Sequence, residues 1–213
     1  MALVDISRSI APTTAVWPGD QEVEWSWTAR VGAQEEASVN LGALQHSTHV
    51  ASHADAPLHV DPEGKAVDAL PLSAFVGPAE VVDVDDASRI RPEHVVNTTA
   101  ERVLFKTSAS ALSDDEWPGR IAAVAPDTVR SLADKNVRLI GTDAPAVDPI
   151  DSTAIPAHHA RIEAGIVNLE GLRFEKVPPG RYSLIALPLK ISGGDAAPVR
   201  AVLRDASVQQ RPE

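Results

Sequence analysis

The chain contains no cysteine. That excludes disulfides, thiolate metal sites and cysteine nucleophiles, so any metal must be held by nitrogen and oxygen. It has no lysine- and arginine-rich run, and 30 acidic against 19 basic residues leave a formal charge of −11. Nucleic acids and anionic membrane surfaces need a basic footprint, so neither is expected as the main partner. Aromatics are few, with three phenylalanines, four tryptophans and one tyrosine. Ala, Val, Leu and Ile must fill the core, which favours a strand-rich interior. No stretch approaches the roughly 18 apolar residues of a membrane span, and Met1-Ala2-Leu3-Val4-Asp5 lacks the basic and apolar regions of a signal peptide. The sequence reads as that of a cytoplasmic protein.

What remains is enough for one α/β domain spanning 1–213, and short for two. Leu3 to Ser7 reads as a strand, and Glu22 to Thr28 alternates with a period of two, so Trp25 and Trp27 share a face that is expected to be buried. Ser38 to His49 reads as a further strand. Beyond Pro71, strands expected to be buried on both faces (Ala79 to Val84, Arg102 to Thr107, Arg138 to Thr142, Tyr182 to Leu187) alternate with short helices at Asp127 to Lys135 and about Ile155 to Ala164. Asp127 is placed to cap the first of these helices. Interleaved strands and helices imply an α/β fold. The 17 prolines fall mostly between elements, and the tail from Gln209 to Glu213 is expected to fray.

Four of the seven histidines, His46, His49, His53 and His59, crowd together with Asp55. Asp55 and Pro57 argue against a continuous helix there, so a loop or bent turn is expected, with Ala51, Ser52, Ala54 and Ala56 leaving room for the side chains to converge. A lone histidine on an apolar face is usually a satisfied core residue. Several ionisable groups buried together are costly without a cation, and imidazole with carboxylate suits Zn²⁺ or Mn²⁺. Far downstream, His158 and His159 precede Glu163 and Glu170. By itself this reads as an exposed helix with a surface histidine pair, except that Glu170 follows an apolar stretch and needs a partner if buried.

The run from His49 to His59, His-Val-Ala-Ser-His-Ala-Asp-Ala-Pro-Leu-His, resembles the His-x-Gly-Thr-His-x-Asp-x-Pro-x-His signature of the cyclase-like metal-dependent hydrolases. Val16-Trp17-Pro18-Gly19-Asp20, Gly141 to Pro149, Ile185 to Leu189 and Pro198 to Leu203 extend the likeness along the chain, and the Trp-Pro-Gly-Asp and C-terminal matches favour the branch of bacterial kynurenine formamidases (arylformamidases). The resemblance implies a mixed β-sheet or small barrel-like sheet flanked by short helices, of the swivelling β/β/α type. It makes His49, His53 and Asp55 ligands of one zinc. His158 would bind a second, which Asp55 also reaches, and Glu170 would bridge both; Mn²⁺ is an alternative metal. His59 takes the role of acid/base and Trp17 that of a substrate contact, although as a residue Trp17 could equally be a packed loop side chain. The implied reaction is hydrolysis of N-formyl-L-kynurenine to L-kynurenine and formate in tryptophan degradation, and the implied assembly is a homodimer; the N-terminal strand and the tryptophan-bearing loop are the expected exchange or pairing elements. Ala51-Ser52 departs from the usual Gly-Thr. His159 competes with His158 as the ligand, and His46 has no assigned role.

Three other readings stay open at this level. An isatin or other amide or lactam hydrolase would use the same metal residues and differ in a pocket expected around Trp17, Trp25 and Trp27. A non-catalytic metal- or small-molecule-binding protein would retain the scaffold without needing His59. A cupin-like metal oxygenase is disfavoured by the strand-helix alternation.

Overall fold

A computed structural model describes residues 3–33, 37–84 and 87–205; the tail expected to fray lies outside them. In chain order the elements are β1 (Leu3–Asp5), β2 (Glu24–Ala29), β3 (Leu41–Gln45), β4 (His53–Asp55), β5 (Val76–Asp83), β6 (Arg89–Ile90), β7 (Arg102–Lys106), β8 (Ala123–Val124), α1 (Pro126–Ala133), β9 (Leu139–Thr142), α2 (Pro156–Glu163), β10 (Val167–Glu170), β11 (Gly180–Ile185), β12 (Ala196–Pro198) and β13 (Val202–Asp205). Nine strands form one mixed sheet in the order β1-β13-β11-β5-β7-β9-β10-β4-β12. Its centre, β5-β7-β9-β10, is parallel, and antiparallel pairs complete both sides. The α/β expectation therefore holds, as a mixed sheet with two short helices.

Strand alternation divides the interior in two. Leu104, Leu139 and Leu169 point into one cluster with Phe75, Phe174 and Leu184. Their neighbours Val103, Phe105 and Ile140 point the other way, into a second cluster with Val129 and Leu132 of α1 and Ala157 and Ala160 of α2. Both helices thus cover the same face of the sheet. The small side chains of Ala157 and Ala160 let α2 lie close to it. Full burial of each leucine in these clusters contributes about 2 kcal/mol.

Several expectations are corrected. Burial on both faces holds for β7 and β9 but not for β5 and β11, which keep partly exposed residues. The segment expected as one strand from Ser38 to His49 is a strand only at Leu41–Gln45. Asp127 does not cap α1: Ala125 holds the cap position and Pro126, preorganised for a first turn, starts the helix. Asp127 instead pairs with Arg130 within that turn.

The alternation of β2 reports an apolar face but not what covers it. Among the described residues β2 pairs with β3 alone, as a two-stranded ribbon apart from the main sheet. Their register places Trp25 opposite Leu44 and Trp27 opposite Gly42, so these side chains share one face. Trp25, Trp27 and Leu44 are each 48% exposed, which corrects the expectation of a buried face.

Candidate metal centre

β4 lies between β10 and β12, where a loop or bent turn was expected; Pro57–His59 then forms a single 3-10 turn. In the antiparallel register Glu170 stands opposite His53 and Asn168 opposite Asp55. Directly opposed residues project to the same side, so these four polar side chains leave one face while Ala54 and Leu169 enter the core behind them. The polar face is the one covered by α2. His158 is buried and His159 exposed, because successive helical positions point about 100° apart. The helix phase therefore brings His158, not His159, to Asp55 and Glu170.

Distances tie the cluster together. Asp55 Oδ1 lies 3.1 Å from His49 Nδ1 and 3.4 Å from His53 Nε2. His53 Nε2 is also 3.4 Å from Glu170 Oε2. His158 Nε2 faces Asp55 Oδ2 at 3.5 Å and Glu170 Oε1 at 3.6 Å. His53, Asp55, His158 and Glu170 are all buried. Ligand atoms of His49, His53 and Asp55 lie within 4.8 Å of one another, and so do those of Asp55, His158 and Glu170.

The far nitrogen of each imidazole is occupied. His49 Nε2 bonds Asp195 Oδ2 at 2.9 Å, His53 Nδ1 bonds the Ala51 carbonyl at 3.1 Å, and His158 Nδ1 bonds Asp148 Oδ2 at 2.7 Å. In the neutral ring, a proton donated there leaves the lone pair on the nitrogen that faces the carboxylates. His53 Nε2 and Asp55 Oδ1 are buried and have no hydrogen-bond partner among the described residues. Orphaned acceptors at this spacing are what a divalent cation satisfies, so the donor set fits one.

Protons hold the charges in balance when no cation does. Burial of His53 opposes its charged form, but the carboxylates of Asp55 and Glu170 close beside it outweigh that and push the pKa up to about 10. Burial likewise works against His158, yet Asp148 and Asp55 raise it to about 9. Asp55 is held well below its ordinary value despite burial, by His158, His49 and His53. His59 goes the other way: burial lowers it. Its ring sits 4.1 Å from that of His49 and 5.8 Å from that of His158, with Nδ1 3.5 Å from Asp195 Oδ2. His49, His59 and Asp195 form a third close group. Asp195 is already engaged there by His49 and by Thr48 Oγ1 at 2.9 Å, and so serves as an orienting partner.

The backbone at the departure from the signature is special. Ala51 has φ +51°, in the left-handed region that favours glycine. Its carbonyl lies against Gly171, where a Cβ would collide with it. Ser52 locks the same corner, donating to the Gly171 carbonyl at 2.6 Å and accepting from the Arg8 amide at 2.9 Å.

The cluster opens into a cavity of about 330 Å³, lined by His49, His53, His59, His158, Glu170 and the indoles of Trp17 and Trp117. Trp17 meets Trp117 edge-on, centroids 5.4 Å apart. Trp25 and Trp27 do not line it, which corrects the expected pocket. Sequence reasoning missed Trp117, Asp195, Asp148, Asn168 and Arg161. Among the described residues, His46 bonds its neighbour's carbonyl through Nδ1 and joins none of the three groups.

A family model described as putative cyclase matches residues 4–149. The chain belongs to that family. It is 64% identical over 210 residues to the kynurenine formamidase of Salinibacter ruber, covering 97% of this chain and 99% of that one. Among solved structures, one described as a potential metal-dependent hydrolase with cyclase activity superposes with a TM-score of 0.81 at 30% identity, covering 95% and 96% of the two chains. Isatin hydrolase A from Labrenzia aggregata has a TM-score of 0.80 at 22% identity, covering 95% and 93%, a likeness of fold alone.

Proposed function

We propose that the chain is a metal-dependent amidohydrolase that converts N-formyl-L-kynurenine and water to L-kynurenine and formate. One observation carries the chemistry: three imidazoles, each held by a bonded far nitrogen, turn their other nitrogens toward Asp55 and Glu170 beside a cavity with an aromatic wall. The near-full-length similarity to a kynurenine formamidase supports the substrate. His49, His53 and Asp55 would hold one zinc, and Asp55, His158 and Glu170 a second. Such ions lower the pKa of a bound water and polarise a carbonyl.

The chain's own groups do the rest. Trp17 and Trp117 pack against the aryl ring and orient the formamide toward the carboxylate cluster. His59 is partly exposed and held below its ordinary pKa by burial, so near neutral pH it is free to accept a proton. It takes one from the attacking water and returns it to the aryl amine as the C–N bond breaks. Asp195 steadies His59 and His49 together. The exposed tryptophan face of β2 and β3 is the surface we assign to homodimer formation.

The test is turnover of N-formyl-L-kynurenine by chelator-stripped protein resupplied with Zn²⁺ or Mn²⁺, run beside isatin. Production of kynurenine and formate with little turnover of isatin is expected. Preference for isatin would overturn the substrate, and activity undiminished after metal stripping would overturn the chemistry.

A further inference from the structure

α2 brings a second charged side chain to the sheet. Arg161 follows His158 by three positions, on the same helix face, and is 1% exposed. Its Nε and Nη2 have no hydrogen-bond partner among the described residues. A guanidinium stays charged and carries five N–H donors, so burying it is costly unless its charge answers others. It does: Asp55, Glu170 and Asp148 all act on it electrostatically, and Nη2 lies 3.6 Å from Asp55 Oδ2.

The two oxygens of Asp55 are thereby made different. Oδ1 faces His49 and His53 and has no hydrogen-bond partner among the described residues. Oδ2, the oxygen facing His158, accepts from Asn168 Nδ2 at 3.1 Å and also lies beside Arg161. A fixed positive charge at Oδ2 competes there with a divalent ion, while Oδ1 remains free.

We infer that Arg161 makes the two cation positions unequal, so that the one formed by His49, His53 and Asp55 fills first and the one formed by Asp55, His158 and Glu170 fills at higher ion concentration. The inference rests on the metal reading of the cluster. Arg161 touches no reacting group and is a positioning residue.

Calorimetric titration of the chelator-stripped chain with Zn²⁺, and separately with Mn²⁺, reads the positions without reference to activity. Wild-type protein should show two steps, the second weaker by roughly tenfold or more. Arg161→Met should strengthen the second step by a similar factor and leave the first within about threefold, and Arg161→Lys should keep the wild-type gap. Two equal steps in the wild type, an unchanged gap in folded Arg161→Met, or a gap closed equally by Arg161→Lys would each overturn the inference. If Arg161→Met does not fold, His158→Ala decides: loss of the weaker step supports the inference and loss of the tighter one overturns it. Failure to bind any ion is a different result, which overturns the metal reading itself.

Discussion

Asp148 holds His158 twice over, accepting its backbone N–H at 2.9 Å and meeting its ring Nδ1 at 2.7 Å through the same oxygen. The other oxygen takes the N–H of Ala157 at 2.8 Å. One carboxylate thus caps the first turn of α2 and fixes the imidazole tautomer that turns Nε2 toward Glu170. Asp148→Asn keeps the shape but weakens both functions. Affinity for the ion held by His158 should fall about 10- to 100-fold, read by titration at unchanged far-ultraviolet circular dichroism. Unchanged affinity would mean that Asp148 only caps the helix.

His59 should separate binding from turnover. His59→Ala leaves His49, His53, Asp55, His158 and Glu170 in place, so metal content should equal that of the wild type while kcat falls about 10²- to 10⁴-fold. Elemental analysis and steady-state kinetics on one preparation check this. A variant that loses its metal as well would make His59 a ligand in the third group, with His49 and Asp195.

The contiguous part of this site is legible from the chain, because His49, His53, Asp55 and His59 are close in sequence and costly to bury together. Its completion is not legible from spacing or periodicity, and His158 and Glu170 enter only through the family resemblance. The choice between His158 and His159 is made by helix phase, which adjacent residues cannot reveal. Asp195 follows a glycine pair with no periodic signal, and reaches His49 only because β12 pairs with β4. A three-residue strand such as β4 is too short for alternation to show, and the proline after it imitates a turn. Asp148 did carry a signal: an Asp-Pro pair shortly before a helix that begins at Pro156. The ribbon failed differently, since period-two alternation identifies an apolar face whether its cover is the same chain or another.

Ala51 at φ +51° is a local cost that glycine would relieve. Ala51→Gly removes the steric penalty of the left-handed conformation but frees the unfolded chain, leaving a net gain of about 0.5 kcal/mol. Urea unfolding should show a higher midpoint at unchanged slope. A lower midpoint would show that the methyl group's contacts outweigh the strain.

The raised pKa values set opposite pH trends for metal-free and metal-loaded protein. In metal-free protein the folded-state values of His53 and His158, about 10 and about 9, exceed the unfolded value of about 6.5. Folding takes up protons between these limits, so this contribution is complete below about pH 6.5 and is lost as pH rises through about 9 to 10. Bound ions need the same nitrogens deprotonated, so metal affinity rises over that range. Thermal melts with excess chelator should fall from pH 6.5 to 10, and the added stability from Zn²⁺ should grow. A chelated protein whose midpoint climbs with pH would rule out imidazolium balance in the cluster.

The ribbon yields the last expectation. Trp25, Trp27 and Leu44 form one exposed face above Gly42, which lies under the Trp25 indole. Apolar side chains of this size are seldom left grouped in water, and pairing two such faces across a two-fold axis would bury them without altering either chain. Because the ribbon stands apart from the nine-stranded sheet, a charge placed on it should spare the fold. Sedimentation of the wild-type chain should therefore give a dimer, and Leu44→Glu a monomer of unchanged circular dichroism. A monomeric wild type at micromolar concentration would remove the dimer. A dimer that persists in Leu44→Glu would move its interface elsewhere, with the exposed edge strand β1 the next surface to test.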